Sequence, residues 1–291
     1  MSVQPRFPIF VPTLSRADSR LTIKALQRMG IEQWYAVVEP QEHDLYAAVI
    51  PKDHIIVLDL EYKAKYDTLD NLGLTKSVGP GAARNFIWDT AIQMGHPWHW
   101  VMDDNIVYFT RMTANLRYEV LSGAFFRWME DFVLRYDNIG MAGPCYEMFV
   151  PRKYKHPPLI FNTRIYSCNL IRNDIPYRWR GRYNEDTILS LDMLKDGWCT
   201  VQFPPFQQKK VATQTVKGGN DKVFYSVEGT APKSQMLVDT YPEYARLVTK
   251  YGRVHHQVDY SPFRRNKLHR IEGVEIPAEP DMYGLELRKV S

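Results

Sequence analysis

The sequence predicts an α/β fold, with a mixed, mostly parallel central sheet and helices on its faces. Three observations predict it. The apolar runs Phe7–Val11, Tyr35–Val38 and Ile55–Leu58 read as buried strands, with an amphipathic helix between the first two. Strand, helix, strand is the alternation that builds parallel sheets, because a parallel return needs a crossover. Next, a glycine-rich turn, Gly79-Pro80-Gly81, opens another helical stretch. Finally, the apolar run Trp100-Val101-Met102 stops at Asp103-Asp104-Asn105, where a strand of such a sheet would surface.

Bulk composition sets the bounds. The chain has 291 residues, 45% of them hydrophobic and 24% charged, as in a folded soluble protein. No repeat or low-complexity linker divides it, so we read a single domain over 1–291, with an irregular tail from residue 276. Residues 1–6 lack the layout of a signal peptide, and no apolar run approaches the ~18 residues of a membrane span. Cys145, Cys168 and Cys199 are odd in number and widely spaced, giving neither a metal motif nor a disulfide framework. A reducing, cytoplasmic setting without membrane association is the expectation. The net charge of +4 is only mildly basic, so nucleic-acid binding is permitted but not demanded.

The elements follow in order. After Phe7–Val11 comes the turn Pro12-Thr13-Leu14-Ser15-Arg16. Asp18 or Ser19 is expected to cap a helix whose apolar positions are Leu21, Ala25 and Met29, ended by Gly30. Thr13, Ser15, Arg16 and Arg20 put hydroxyls and guanidiniums at a strand-to-helix turn, which suits a nucleotide's phosphates or ribose. Arg20 reads equally well as a surface residue. The second strand closes at Glu39-Pro40. The helix after Gly81 carries Phe86, Ile87, Ala91 and Met94 inward and ends at Gly95. Its glycines would let a ligand approach the backbone, though the stretch lacks the Gly-Lys-Ser/Thr ending of a Walker loop. Arg84 lies in the first turn of this helix, against the dipole, which points to another use. Two carboxylates at a strand end are costly unless a cation joins them, and a divalent metal carrying a phosphorylated ligand is one answer. A loop of solvated acids is the bland alternative.

Ser122–Tyr136 reads as a helix with Phe125, Trp128, Met129, Phe132 and Val133 in the core. Ile139–Ala142 and Ile165–Ile171 are further strands, and Tyr146–Pro158, rich in Pro, Lys and Arg, is a loop near the site. Asn184 is expected to cap a helix buried through Ile188, Leu191 and Leu194. Glu185 and Asp186 lie in its first turn, either answering the dipole or serving as a base. Arg178, Arg180 and Arg182, interleaved with Trp179 and Tyr183, suit a phosphate backbone and a stacked base. A solvated surface explains Arg264, Arg265, Lys267 and Arg270 better. Trp198–Phe203 is another strand. Thr215–Asn220 is a polar turn, with Tyr225 beyond it. Pro242–Tyr251 reads as a short helix ended by Gly252. Of the adjacent His255 and His256, at most one would face a metal.

In this order, Val11-Pro12-Thr13-Leu14-Ser15-Arg16, Gly81-Ala82-Ala83-Arg84-Asn85, Trp100-Val101-Met102-Asp103-Asp104-Asn105 and Asn184-Glu185-Asp186 resemble a GT-A type glycosyltransferase over roughly residues 7 to 200. More narrowly, with Gly218-Gly219-Asn220 and Arg178–Tyr183, the chain resembles the TET-associated glycosyltransferases, phage and bacterial enzymes that glycosylate hydroxymethylpyrimidines in DNA. The resemblance implies a UDP-sugar donor and Mn2+ or Mg2+. It also implies a nucleotide-sugar half near 1–110, an acceptor half near 111–275 and, for a phage protein, the cytoplasm of a bacterial host. Pro12, Thr13, Ser15, Arg16, Arg20, Glu39, Gly81, Arg84, Asp103 and Asp104 would meet the donor. Asp104, Asn105 and a late His256 would hold metal, Asn105 standing where many members have an acid. Asp186, with Glu185 beside it, matches the base of inverting members. Arg178, Trp179, Arg180, Arg182 and Tyr183 would bind DNA containing 5-hydroxymethylcytosine.

Three rivals remain at this level. A protein or glycan acceptor would keep the fold. A metal-dependent nucleotidyltransferase would use the same strand-end acids. A non-catalytic DNA-binding module would use none of them.

Overall fold

Alternation along one short strand sets the layering. In the computed structural model, which describes residues 3–72, 77–152, 155–211, 231–250 and 252–274, β1 (Ile9–Pro12) sends Ile9 and Val11 to one core and Phe10 to another. Successive strand side chains point to opposite faces, so an uninterrupted apolar run requires a sheet covered on both sides. The first core is filled from α1 (Leu21–Arg28) and α5 (Ala124–Val133), the second from α4 (Gly81–Gln93) and α6 (Glu185–Lys195). Helix α6 is buried nearly all round, because a third cluster packs its far side against α7 (Ala231–Thr240).

The remaining strands are β2 (Trp34–Val38), β3 (Ile55–Val57), β4 (Trp98–Met102), β5 (Ile106–Thr113), β6 (Leu116–Glu119), β7 (Ile139–Tyr146), β8 (Ile160–Phe161), β9 (Cys168–Arg172) and β10 (Cys199–Lys210). They join β1 in one sheet of order β3-β2-β1-β4-β9-β7-β10-β5-β6, with β8 pairing β10. Strands β1, β2, β3, β4, β6, β7 and β10 run one way, and β5, β8 and β9 the other. The α/β expectation holds: a large, mostly parallel sheet is flanked by helices. Short helices α2 (His43–Ala47) and α3 (Glu61–Ala64) follow β2 and β3. This polarity brings the C-terminal ends of β1, β2, β4 and β10 and the start of β9 to one edge, where an open α/β sheet forms its crevice.

Several local expectations need correction. Neither Asp18 nor Ser19 caps α1. Arg20 holds that position at φ 42°, and the Ser19 hydroxyl donates to the Arg16 carbonyl instead. The turn after β4 meets the helix start: Thr22 N donates to Asp104 O and Thr22 Oγ1 to Asp103 O (3.4 and 2.6 Å). Asn184 does precede α6, but at φ 57° and with its amide donating to Lys233 O, so it gives the helix no side-chain cap. In α4 Ile87 and Ala91 are buried as expected, but so is Trp88, its indole donating to Asn173 O, while Met94 is exposed. The Pro242–Tyr251 helix is instead a strand, β11 (Ala245–Lys250), paired antiparallel with β12 (Arg253–Val258) around Gly252 at φ 71°. There Val248, Thr249, Val254 and Val258 favour the pleat over helix. The second half of β10 lies past Pro204-Pro205, where its register with β7 shifts, so a reading that stops at proline ends too early. Thr215–Asn220, Tyr225 and the tail from 276 lie outside the described residues.

One buried acid ties three segments together. Glu130 on α5 is fully buried and accepts from Arg6 N (2.7 Å), Phe7 N (3.4 Å) and Trp100 Nε1 (2.8 Å). Burial pushes its carboxyl up, against those donors. Glu130→Ala strands the donors and should lower the unfolding free energy in urea by about 3 kcal/mol, with partial recovery in Glu130→Gln. An unchanged midpoint in Glu130→Ala would refute this role.

Candidate active site

Sheet polarity collects the site. A cavity of about 970 Å³ opens at the strand ends, lined by the turn after β1, by Glu39 after β2 and by Asp103–Asn105 after β4. The first turns of α4 and α6 add Arg84, Glu185 and Asp186, and the end of β10 adds Lys210.

Arg84 connects the two banks of acid. Its Nη2 donates to Asp103 (2.7 Å) and its Nη1 to Asp186 (2.8 Å) and Glu185 (3.1 Å). Its guanidinium carbon lies 4.6 Å from the centre of the Trp179 ring. Only 2% of Arg84 is exposed, so the charge in the first turn of α4 is answered by these carboxylates rather than by water. Lys210 Nζ donates to the other Asp103 oxygen (2.6 Å) and to Ser167 Oγ (2.8 Å). Burial opposes charge on Asp103, but Lys210 and Arg84 outweigh it and hold the carboxyl well below its usual range. Asp104 is paired to Arg16 and accepts from Thr13 Oγ1 (2.9 Å), which also meets Tyr46 Oη (2.6 Å). There burial outweighs Arg16, and the carboxyl is raised. Burial raises Glu185 and Asp186 too, with Arg84 opposing. The site therefore holds acids pushed apart: one firmly ionised at the strand end, and a pair at α6 made more basic.

The donor set suits a hard divalent cation in one respect. Asn105 Oδ1 is a buried oxygen with no hydrogen-bond partner among the described residues, and it lines the same cavity as Asp104, whose carboxylate would exchange a bond to Arg16 or Thr13 for the ion. An amide oxygen and one carboxylate are a fitting protein share for an ion whose other ligands are phosphate and water. Asp103 is committed to Arg84 and Lys210. His256 does not line the cavity. Burial lowers its pKa to about 4, and Lys233 and Arg164 act in the same direction, so its surroundings disfavour added positive charge.

The cavity brings together Pro12, Thr13, Arg16, Glu39, Arg84, Asp103, Asp104, Asn105, Tyr183, Glu185 and Asp186. Others lie elsewhere. The Ser15 amide and hydroxyl are taken by the Glu42 carboxylate. Arg20 turns back onto the carbonyls of Ala17 and Asp18. Gly81 is needed for packing: a Cβ there would lie 1.9 Å from Tyr66 Oη. The expected acceptor surface is corrected most. Trp179 is 1% exposed, in the core under Arg84, and Arg182, although it lines the strand-end cavity, is equally buried and bonded to Asp70 and the Ser77 carbonyl. Arg180 forks onto Asp192, and Arg178 pairs with Asp89, along a separate cavity of about 870 Å³ that also holds Asp59, Glu61 and Asp196. Trp179 and Arg182 are internal ties, whereas Arg178 is exposed, Arg180 is half-buried and Tyr183 lines the strand-end cavity. Lys210, Ser167, Arg164 and Lys233 are site residues the sequence reading missed.

A family model described as TET-Associated Glycosyltransferase matches residues 7–219. The match covers most of the chain, so the chain belongs to that family, and its sheet and helices accord with a GT-A-like fold. No curated protein sequence matches it significantly. No described helix is long and apolar enough to cross a membrane.

Removing the clamp tests the site. At neutral pH, Arg84→Met takes the cation from Glu185 and Asp186 and leaves Asp103 with Lys210 alone, and should cost about 4 kcal/mol of stability. Without the guanidinium Glu185 and Asp186 bind protons more readily still, so the deficit shrinks as pH falls. Asp103 has the opposite sign in the native chain. Its carboxyl is lowered on folding, so its stabilisation is complete above the unfolded pKa and is lost as pH falls through the folded one. Urea midpoints between about pH 4.5 and 8 measure the first effect and midpoints below about pH 4 the second, and an Arg84→Met deficit independent of pH would contradict the assignment.

Proposed function

We propose that this TET-associated glycosyltransferase moves a sugar from a UDP-sugar to the hydroxymethyl group of modified cytosine in DNA, with a divalent metal, and inverts the anomeric centre. The observation that carries this reading is the Arg84 fork, which sets the α6 acids opposite the strand-end acids across one cavity. Donor and base then have separate banks.

The chain's own groups divide the work. Thr13, Arg16, Glu39 and Asp103 hold the nucleotide, and Asp104 with Asn105 Oδ1 would hold the metal. When bound, that ion would neutralise charge on the diphosphate. Lys210 and Arg16 add fixed positive charge where the leaving group gains negative charge. Asp186, raised by burial and aligned by Arg84 and Asn169 Nδ2 (2.8 and 3.4 Å), accepts the proton of the hydroxymethyl oxygen. That oxygen forms the new bond to the anomeric carbon as the bond to the diphosphate breaks on the opposite face, and UDP departs with the electron pair.

UDP release with Mn2+, over a panel of UDP-sugars with and without hydroxymethylcytosine DNA, tests donor and acceptor together. Asp186→Asn should lower kcat about 10³-fold. It should also remove the acidic limb of the pH profile, in which activity falls as the carboxyl takes a proton. Asp104→Ala should abolish the response to Mn2+. Release on saccharides or protein but not on DNA would retain the transferase and replace the acceptor.

A further inference from the structure

The donor cavity shares Lys210 with a second cavity of about 620 Å³ lined by Tyr108, Arg117, Tyr146, Met148 and Lys209. An aromatic ridge runs beside this opening. The Tyr146 and Phe149 rings meet edge to face at 5.6 Å, and Phe149 meets Tyr166 at 5.9 Å. The Arg164 guanidinium lies 4.4 Å over Tyr166, and Arg164 and Tyr166 themselves line the donor cavity. The ridge thus begins inside the site and ends at the surface.

Its outer end exposes what a fold would normally hide. Met148 is 65% exposed and Phe149 54%, in the one-turn helix Glu147–Phe149 that closes β7. Isolated exposed apolar side chains are ordinary, but these two adjoin a cavity and an aromatic chain leading to the reacting groups. The charge beside them is positive. Arg117 and Lys209 share a single acid, Glu147 (3.4 and 3.6 Å), and Arg164 adds to them over the Tyr166 ring.

We propose that this ridge is the track on which a single-stranded or locally melted nucleic-acid strand brings its modified base to the site. The proposal rests on the acceptor reading above and gives it a surface, in place of the Arg178–Tyr183 segment, whose Trp179 and Arg182 are buried. Exposed rings bind bases by their faces, and cations at the flanks bind the backbone. A duplex keeps its base faces in the stack and offers the ridge only phosphates, so the target nucleotide must leave the stack to be reached.

Fluorescence anisotropy with labelled oligonucleotides, using the full chain, tests this directly. A single strand should bind at least about tenfold tighter than the matching duplex, and Phe149→Ala should weaken single-strand binding about tenfold. Lys209→Gln should lower the slope of log K against log salt by about 0.7, one phosphate's worth on a single strand. Leu45→Ala, on an exposed side chain that lines neither cavity, is the control. Equal affinity for duplex and single strand, or no effect of either ridge variant, overturns the track. If glycosylation of hydroxymethylated DNA then proceeds with an unaltered acceptor KM in both variants, the track alone falls and the acceptor reading stands. Absence of both DNA binding and DNA product removes the acceptor reading as well. A raised KM for a protein acceptor in Phe149→Ala reassigns the ridge to polypeptide.

Discussion

A guanidinium excluded from water must keep its counter-charges or lose its place, and Arg84 keeps three. Its bonds to Asp103, Glu185 and Asp186 reach from the strand end to the late helix, segments far apart in sequence. Neither bank of acid is tolerable alone in that setting, since burial opposes ionisation of each carboxylate. The cation makes both tolerable, and so fixes the distance across the cavity. The neighbouring parts follow. Trp179 lies against its face, Gly81 lets α4 start close to Tyr66, and Tyr66 in turn donates to Gly181 O (2.9 Å), next to Arg182.

The uneven environment of the acids is itself informative. Asp103 touches two cations and is firmly ionised, while Asp186 shares its cation with Glu185 and Asp103 and stays more basic. Proton transfer suits the second kind of group, and steady binding of a polar ligand suits the first. The division arises from packing and connectivity, because Lys210 is delivered by the far end of β10 to Asp103 rather than to the α6 acids.

Legibility in sequence follows the range of the interaction. Asp103 and Asp104 were readable because the cue is local, an apolar run broken by adjacent acids. The cation against the dipole of α4 marked Arg84 as unusual, though not whom it meets. Lys210 gave no such cue. Pro204-Pro205 interrupts its strand, and only the register shift shows that pairing resumes beyond it. The Arg178–Tyr183 segment misled because alternating cations and aromatics look the same whether they face water or lock a buried cation to a ring. Only the partners separate the two cases: Asp70 and Asp89, far away in the chain, and Asp192, on the helix that follows. The caps failed for a related reason: the start of α1 is met by the carbonyls after β4, a tertiary contact in a role usually filled by a neighbouring side chain.

That last contact bears on how the family can be engineered. Thr22 donates to Asp103 O, accepts from Ile106 N and offers its own amide to Asp104 O. The acidic turn and the first helix are therefore one mechanical piece, although most of a hundred residues separates them. A chimera that imports only the acidic turn from a relative would arrive without its fastening. Transplants that carry residue 22 together with 103–106 are the ones expected to keep the native geometry.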